Sequence, residues 1–316
     1  MTSIAITSLL IGGLAATIVH TTEEEFFLET PDLVRRHGYP SETHNVTTED
    51  GYILTVHRIP YAMNSTHGAS RPAVVLMHGF LGSSTDWLIL GRHNGYGYVL
   101  ANSGYDVWLP NGRGNVYSRE HVSLSTNETA FWNFSWHENG IYDLPAVIDY
   151  ILTHNGQSKL FYVGYSMGAT MFYVMASEKP EYNEKIRAMI SLAPVAYMNH
   201  VRSPALQLLA RTTSYLTLGL QLLGLNEIPL IPNSIRAVSV MLCKDKELEV
   251  RCTALLGSLI DASYLNKDVE RLYKELHNPV PIYKIPLKNF KHTDFMWGST
   301  AKKMAFQKSI EFMKSF

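Results

Sequence analysis

The chain predicts an α/β fold with a mostly parallel sheet and helices on both faces, either as one large domain or as one domain with an insert. Continuous apolar runs recur at "PAVVLMHG" (72–79), "YDVWLPN" (105–111), "LFYVG" (160–164) and "AMISLAP" (188–194), the pattern of strands buried on both faces. Helical patterns lie between them, clearest in "ENGIYDLPAVIDYILTH" (138–154). Strands alternating with helices imply parallel strands joined by crossovers.

From the N-terminus, "IAITSLLIGGLAATIVH" is an apolar run ending in small residues before the polar "TTEEE". It reads as a secretory signal over residues 1–20, although a basic start is missing; a membrane anchor is the competing reading. "YILTVHRI" (52–59) alternates as an early strand. A first core segment is expected over 21–195 and a final one over 261–316, the latter holding a strand "VPIYKI" (280–285) and a helix over about 300–314. Residues 196–260 break the rhythm. Their "YLTLGLQLLGLNEIPLIP" is apolar but interrupted by Asn226, Glu227 and two prolines, which does not suit a membrane span. It reads either as a helical pair packed on the main domain or as a cap whose apolar inner wall faces a greasy ligand.

The 316 residues are 46% hydrophobic and 17% charged, with a net charge of −1, which gives no electrostatic reason to expect nucleic acid. Thirteen histidines would make the chain strongly positive in an acidic compartment. Four Asn-x-Ser/Thr sequons, at Asn45, Asn64, Asn127 and Asn133, fit a secreted glycoprotein. In an oxidising compartment Cys243 and Cys252, nine apart, suit a local disulfide better than two free thiols, and no further ligands nearby make a metal site.

Gly164-Tyr165-Ser166-Met167-Gly168 follows a buried strand and precedes a helix-forming run. That context makes G-x-S-x-G a candidate nucleophile turn, with Ser166 on a strained bend and glycines where Cβ atoms would collide; an ordinary strand-to-helix turn is the alternative. A serine hydroxyl needs a base. His292 in "FKHTDFMWG" follows the last expected strand, where a loop can return over the sheet's carboxyl edge; a hydrogen-bonded buried histidine is the competing account. His78 in "LMHGF" more plausibly shapes a loop. Two N–H groups are needed for an oxyanion, and Met167 and Phe80, the latter in "HGFLGSS", are the candidates.

Taken together, "TPDLVRRHGYPSETHNVTTEDGYILTVHRIP", "LMHGFLGSSTDW", "DVWLPNGRGNVYSR", "FWNFSWHENGIYDLPAVIDYIL", "GYSMG" and "FKHTDFMWG" resemble the acid lipase family of gastric and lysosomal type, with insect members. The resemblance covers nearly the whole chain after the signal. It implies an α/β-hydrolase with a helical cap, here shortened, that cleaves neutral lipid esters such as triacylglycerols or sterol esters at a lipid–water interface or lipid particle. With the signal and the sequons, a secreted or lysosomal protein is expected; two acyl-transfer steps and an oxyanion hole need no cofactor, and no protein partner is expected. The family's nucleophile falls on Ser166, its base on His292, its oxyanion loop on Phe80 and its cap disulfide on Cys243 and Cys252. Two departures stand out. Tyr165 and Met167 replace the usual His and Gln beside the serine. The chain is also several tens of residues shorter than the family, with the gap between Cys252 and "KDVERLYKELHN". The family's catalytic aspartate lies seven residues before the aspartate of that element, and here this spacing lands on Asp261, after "TALLGSLI". Two readings stay open: Asp261 is the triad acid, or "DASYLN" is a cap segment and the true acid is gone, which would leave a lipase-like lipid-binding protein. Asp268 is a fallback acid.

Overall fold

The computed structural model describes Glu25 and residues 28–63, 65, 70–200, 207–208, 210–213, 266–276, 282–287 and 290–316. The expected signal, Asn64, Cys243, Cys252, Asp261 and most of the expected cap lie outside the described residues.

Among these residues seven strands form one sheet. They are β1 (Glu42–Thr47), β2 (Tyr52–Ile59), β3 (Ala73–Met77), β4 (Asp106–Pro110), β5 (Glu120–His121), β6 (Leu160–Tyr165) and β7 (Ile186–Leu192). Their order is β1-β2-β4-β3-β6-β7, with β5 beside β2. β1, β4 and β5 each run antiparallel to β2, while β4, β3, β6 and β7 are mutually parallel. The helices are α1 (Thr30–Arg36), α2 (Gly91–Asn94), α3 (Tyr96–Asn102), α4 (Trp136–Glu138), α5 (Leu144–Asn155), α6 (Met167–Glu178), α7 (Asn266–Glu275), α8 (Asp294–Trp297) and α9 (Gln307–Met313).

The period of two along each central strand divides the core into two layers. Val74 and Leu76 of β3, Val107 and Leu109 of β4, and Phe161, Val163 and Tyr165 of β6 face one layer, with Leu33 of α1, Tyr96 of α3, Met296 of α8 and Phe306 before α9. Ala73, Val75 and Met77, Trp108, and Leu160 and Tyr162 face the other, against Ile148 and Ile151 of α5 and Met171 and Met175 of α6. Helices therefore cover both faces, as the unbroken apolar runs require.

Two expectations need correction. Residues 282–285, expected within a strand, have no strand conformation, and Ile282 and Tyr283 are exposed. Pro281 and Pro286 bracket only four residues, too few donors to hold an edge. The helix expected over 138–154 divides into α4, a π-helical stretch Asn139–Asp143, and α5. A π turn adds a residue and redirects the helix beyond it. Here it buries both Asn139 and Asp143, and Asn139 Nδ2 donates to Asp143 Oδ2 at 2.6 Å.

That turn anchors a loop at the carboxyl edge of the sheet. Arg113, buried after β4, donates from Nε to Asp143 Oδ1 at 2.8 Å and from Nη2 to Asp50 Oδ1 at 2.8 Å. Its guanidinium also lies 4.0 Å from the centre of the Tyr52 ring. Burial alone would weaken the Arg113 charge, but the two carboxylates more than offset this and push its pKa up.

Candidate active site

Ser166 ends β6 and caps α6 with φ +53° and ψ −115°. Among the described residues only Leu81 and Ala193 share a positive φ without being glycine. A non-glycine residue there is strained and is held by its surroundings. The holding groups are visible: Ser166 N–H donates to Leu192 O of β7 at 2.9 Å, and Ser166 O accepts from Ala169 N–H at 3.0 Å.

The two flanking glycines have distinct steric reasons. A Cβ on Gly164 would sit 2.7 Å from the Ala169 nitrogen, so the helix could not fold back on its own strand. A Cβ on Gly168 would sit 2.4 Å from Met77 O, the end of the neighbouring strand β3. Gly168→Ala is therefore expected to destabilise the fold by about 3 kcal/mol, from overpacking against backbone that cannot retreat. A urea midpoint equal to that of the wild type would show that the contact is softer than the geometry implies.

The register pairs Met77 with Gly164, so the loops leaving β3 and β6 emerge side by side. The β3 loop packs directly on the serine: a Cβ on Gly79 would lie 2.9 Å from Tyr165 Cδ1 and 3.2 Å from Ser166 Cβ. Phe80 and Leu81 come next, with side chains 70% and 79% exposed. As the first residue of α6, Met167 has an N–H beyond the reach of intrahelical acceptors. Among the described residues neither it nor the Phe80 N–H has a hydrogen-bond acceptor. The positive end of the α6 dipole lies at the same point.

His78 shapes this loop. Gly112 N–H donates to its Nε2 at 3.1 Å, so Nε2 carries no proton. Nδ1 must then hold the hydrogen, which it donates to Gly79 O at 2.8 Å. Burial pushes the His78 pKa down to about 4, partly resisted by the Gly79 carbonyl. Asn115 Nδ2 also lies 3.3 Å from Nε2. The chain of support thus runs from Asp143 through Arg113 and the 111–115 loop to His78 and on to Gly79. Sequence reasoning missed the Arg113–Asp143 link, although Arg113 stands in the stretch "NGRGNVYSR".

His292 comes to the same place. Its backbone carbonyl accepts from Tyr165 Oη at 3.1 Å, and its ring centre lies 5.1 Å from the Tyr165 ring centre at 40°. Burial pushes its pKa down to about 4, so the imidazole is neutral over most of the pH range. Among the described residues no hydrogen bond joins Ser166 Oγ to this imidazole, and no carboxylate bonds to it. Asp294, two residues on, accepts from Lys291 N–H at 2.6 Å. Asp268 lies 2.8 Å from His200 Nδ1 and accepts from His200 N–H at 3.0 Å, and among the described residues no bond joins it to His292.

Glu42, His44 and His154 bring possible metal-ligand atoms within 4.8 Å of one another. Arg58 Nη1, however, donates to Glu42 Oε2 at 2.8 Å and lies 3.0 Å from His154 Nε2, occupying the lone pairs a cation would use. Of the sequons, Asn45, Asn127 and Asn133 are exposed.

The three histidines held near pKa 4, His57, His78 and His292, fix a pH dependence of stability. Their unfolded pKa is about 6.5, so above that pH neither state binds the proton and the fold has its full stability. As pH falls from 6.5 towards 4 the unfolded chain takes up protons that the folded chain does not, and stability declines by up to about 1.4 kcal/mol per pH unit for each group. Urea midpoints at pH 7 and pH 5 are expected to differ clearly; equal midpoints would mean that these imidazoles are accessible.

The chain matches the family model described as a partial alpha/beta-hydrolase lipase region over residues 30–91, and that of the alpha/beta hydrolase fold over 72–217. It is 36% identical over 288 residues to the gastric triacylglycerol lipase of Bos taurus, covering 87% of this chain and 71% of that protein. The chain belongs to the acid lipase family. Other acid lipase relatives include Lipase 3 of Drosophila melanogaster, 48% identical over 53% of this chain and 42% of its own length. Lipase member M of Mus musculus is 39% identical over 74% of this chain and 55% of its own length. The chain therefore spans about half the length of these two relatives. In fold it superposes on the Acinetobacter baumannii AYE protein lip1 with a TM-score of 0.53 at 15% identity, covering 95% of this chain and 98% of that one.

Proposed function

We propose that this acid lipase family member hydrolyses carboxylic esters of neutral lipids, triacylglycerols or sterol esters, as a secreted or lysosomal glycoprotein. The observation that carries the proposal is the strained Ser166 at the start of α6, with the neutral His292 held against the adjacent residue. In this reading Ser166 Oγ bonds to the ester carbonyl carbon as His292 takes its proton, and the carbonyl oxygen becomes an oxyanion received by the N–H groups of Phe80 and Met167. His292 then returns the proton to the departing alcohol, leaving acyl-Ser166. Water repeats the sequence and releases the fatty acid. Asp261 orients the imidazole. Acyl transfer of this kind needs no metal or organic cofactor. The exposed Phe80 and Leu81 give the loop an apolar lip suited to an acyl chain or a lipid surface. No nucleic acid or protein partner forms part of the proposal.

A fluorophosphonate probe and paired esters test it. Covalent labelling, with faster turnover of an emulsified long-chain ester than of a soluble short-chain one, is the expected result. Preference for the soluble ester would leave an esterase but remove the lipid. The alternative is a lipase-like lipid-binding protein without a complete triad. A folded chain that never labels would establish that alternative.

A further inference from the structure

We propose that Tyr165 is a positioning residue that holds the His292 loop on the nucleophile turn; this rests on the Ser166–His292 reading above. The placement comes from the strand period. Tyr165 is the last residue of β6 and alternates onto the sheet face also lined by Met296 and Phe306, the segment that brings His292 back. From there one side chain meets all three parts of the site. Its backbone precedes Ser166, its ring packs where a Gly79 Cβ would lie 2.9 Å away, and its hydroxyl donates to His292 O at 3.1 Å. The ring also lies against the imidazole, with centres 5.1 Å apart.

The hydroxyl is a dependable donor. Burial first, then the carboxylates of Asp86 and Asp294, push its pKa up, so it keeps its proton throughout the range in which the fold survives. Those two carboxylates are the charged groups that act on it. Asp294 Oδ2 accepts from Lys291 N–H and Asp86 Oδ2 from Ser83 N–H at 3.2 Å, while the tyrosine proton goes to His292 O. A phenylalanine here would present no donor at the position of the Tyr165 hydroxyl. The tether to the His292 carbonyl therefore belongs to a tyrosine. It fixes the start of the loop, while the ring contact limits rotation of the imidazole.

Tyr165→Phe keeps the buried ring and removes only the hydroxyl, so the full-length variant should fold. Its kcat on an emulsified ester is expected to fall about tenfold at unchanged KM, and fluorophosphonate labelling of Ser166 to slow by the same factor. The His292 imidazole, tracked by carbon NMR and assigned with His292→Gln, is expected to titrate closer to the free value of about 6.5 than in the wild type. Unchanged kcat and unchanged titration would overturn the proposal. A lower kcat with a lower thermal midpoint but an unmoved titration would also overturn it, by showing a structural role alone. Failure of the wild type to label at all would defeat the hydrolase reading instead, and the titration comparison would still decide whether Tyr165 holds His292.

Discussion

Replacing Ser166 by alanine is expected to lower kcat on a neutral ester by on the order of a million-fold, leaving only the slow turnover that binding and an oxyanion site provide. The variant should be as stable as the parent. Among the described residues Ser166 Oγ makes no hydrogen bond, so its loss orphans no described partner. Alanine meets the same strain at φ +53° that serine does, and the two main-chain bonds through Ser166 N–H and O do not depend on the side chain. The comparison is therefore clean: turnover and fluorophosphonate labelling vanish while the urea midpoint stays within about 0.5 kcal/mol of the wild type. Retention of a tenth of the activity would move the nucleophile elsewhere and undo the account of the site.

With Asp261 as the triad acid, as proposed, Asp261→Asn is expected to cost about ten-thousand-fold in kcat. An amide in place of the triad carboxylate favours the wrong tautomer of the imidazole, which then presents a hydrogen instead of a lone pair to the serine. Asp294 accepts from the Lys291 N–H and Asp268 from His200, and among the described residues neither is bonded to the imidazole. Steady-state kinetics of Asp261→Asn beside Asp268→Asn decides the matter. A loss below tenfold for the first variant would remove Asp261 from the triad, whereas a folded wild type without turnover would favour the lipid-binding alternative.

How much of the fold and the site is legible in the sequence depends on which physical signal each element leaves in the chain. β3, β4 and β6 announce themselves because burial on both faces requires uninterrupted apolar residues, and their observed ends lie within about two residues of the expected ones. β1 escapes notice because "ETHNVT" buries only Val46 and otherwise looks like a polar connection. Residues 282–285 show the reverse error: an apolar composition without the donors or the partner that a strand needs. The nucleophile turn is legible because sterics at Gly164 and Gly168 leave a fixed spacing in sequence. The support beneath it is not. Arg113 and Asp143 are thirty residues apart and charged, and charge in isolation reads as a solvated surface until the π turn brings the pair together. Tyr165 stands out in sequence as a departure from the family, but its reach to His292 depends on which face of β6 it occupies.

The contact of Gly168 with Met77 O has a mechanical consequence. The end of one strand, the start of a helix and the neighbouring loop are in backbone-to-backbone contact, with no compliant side chain between them to act as a cushion. Such a junction moves as a unit. Accommodation of slim and bulky guests must then come from the periphery, where the rotamers of Phe80 and Leu81 are free to rearrange in solvent.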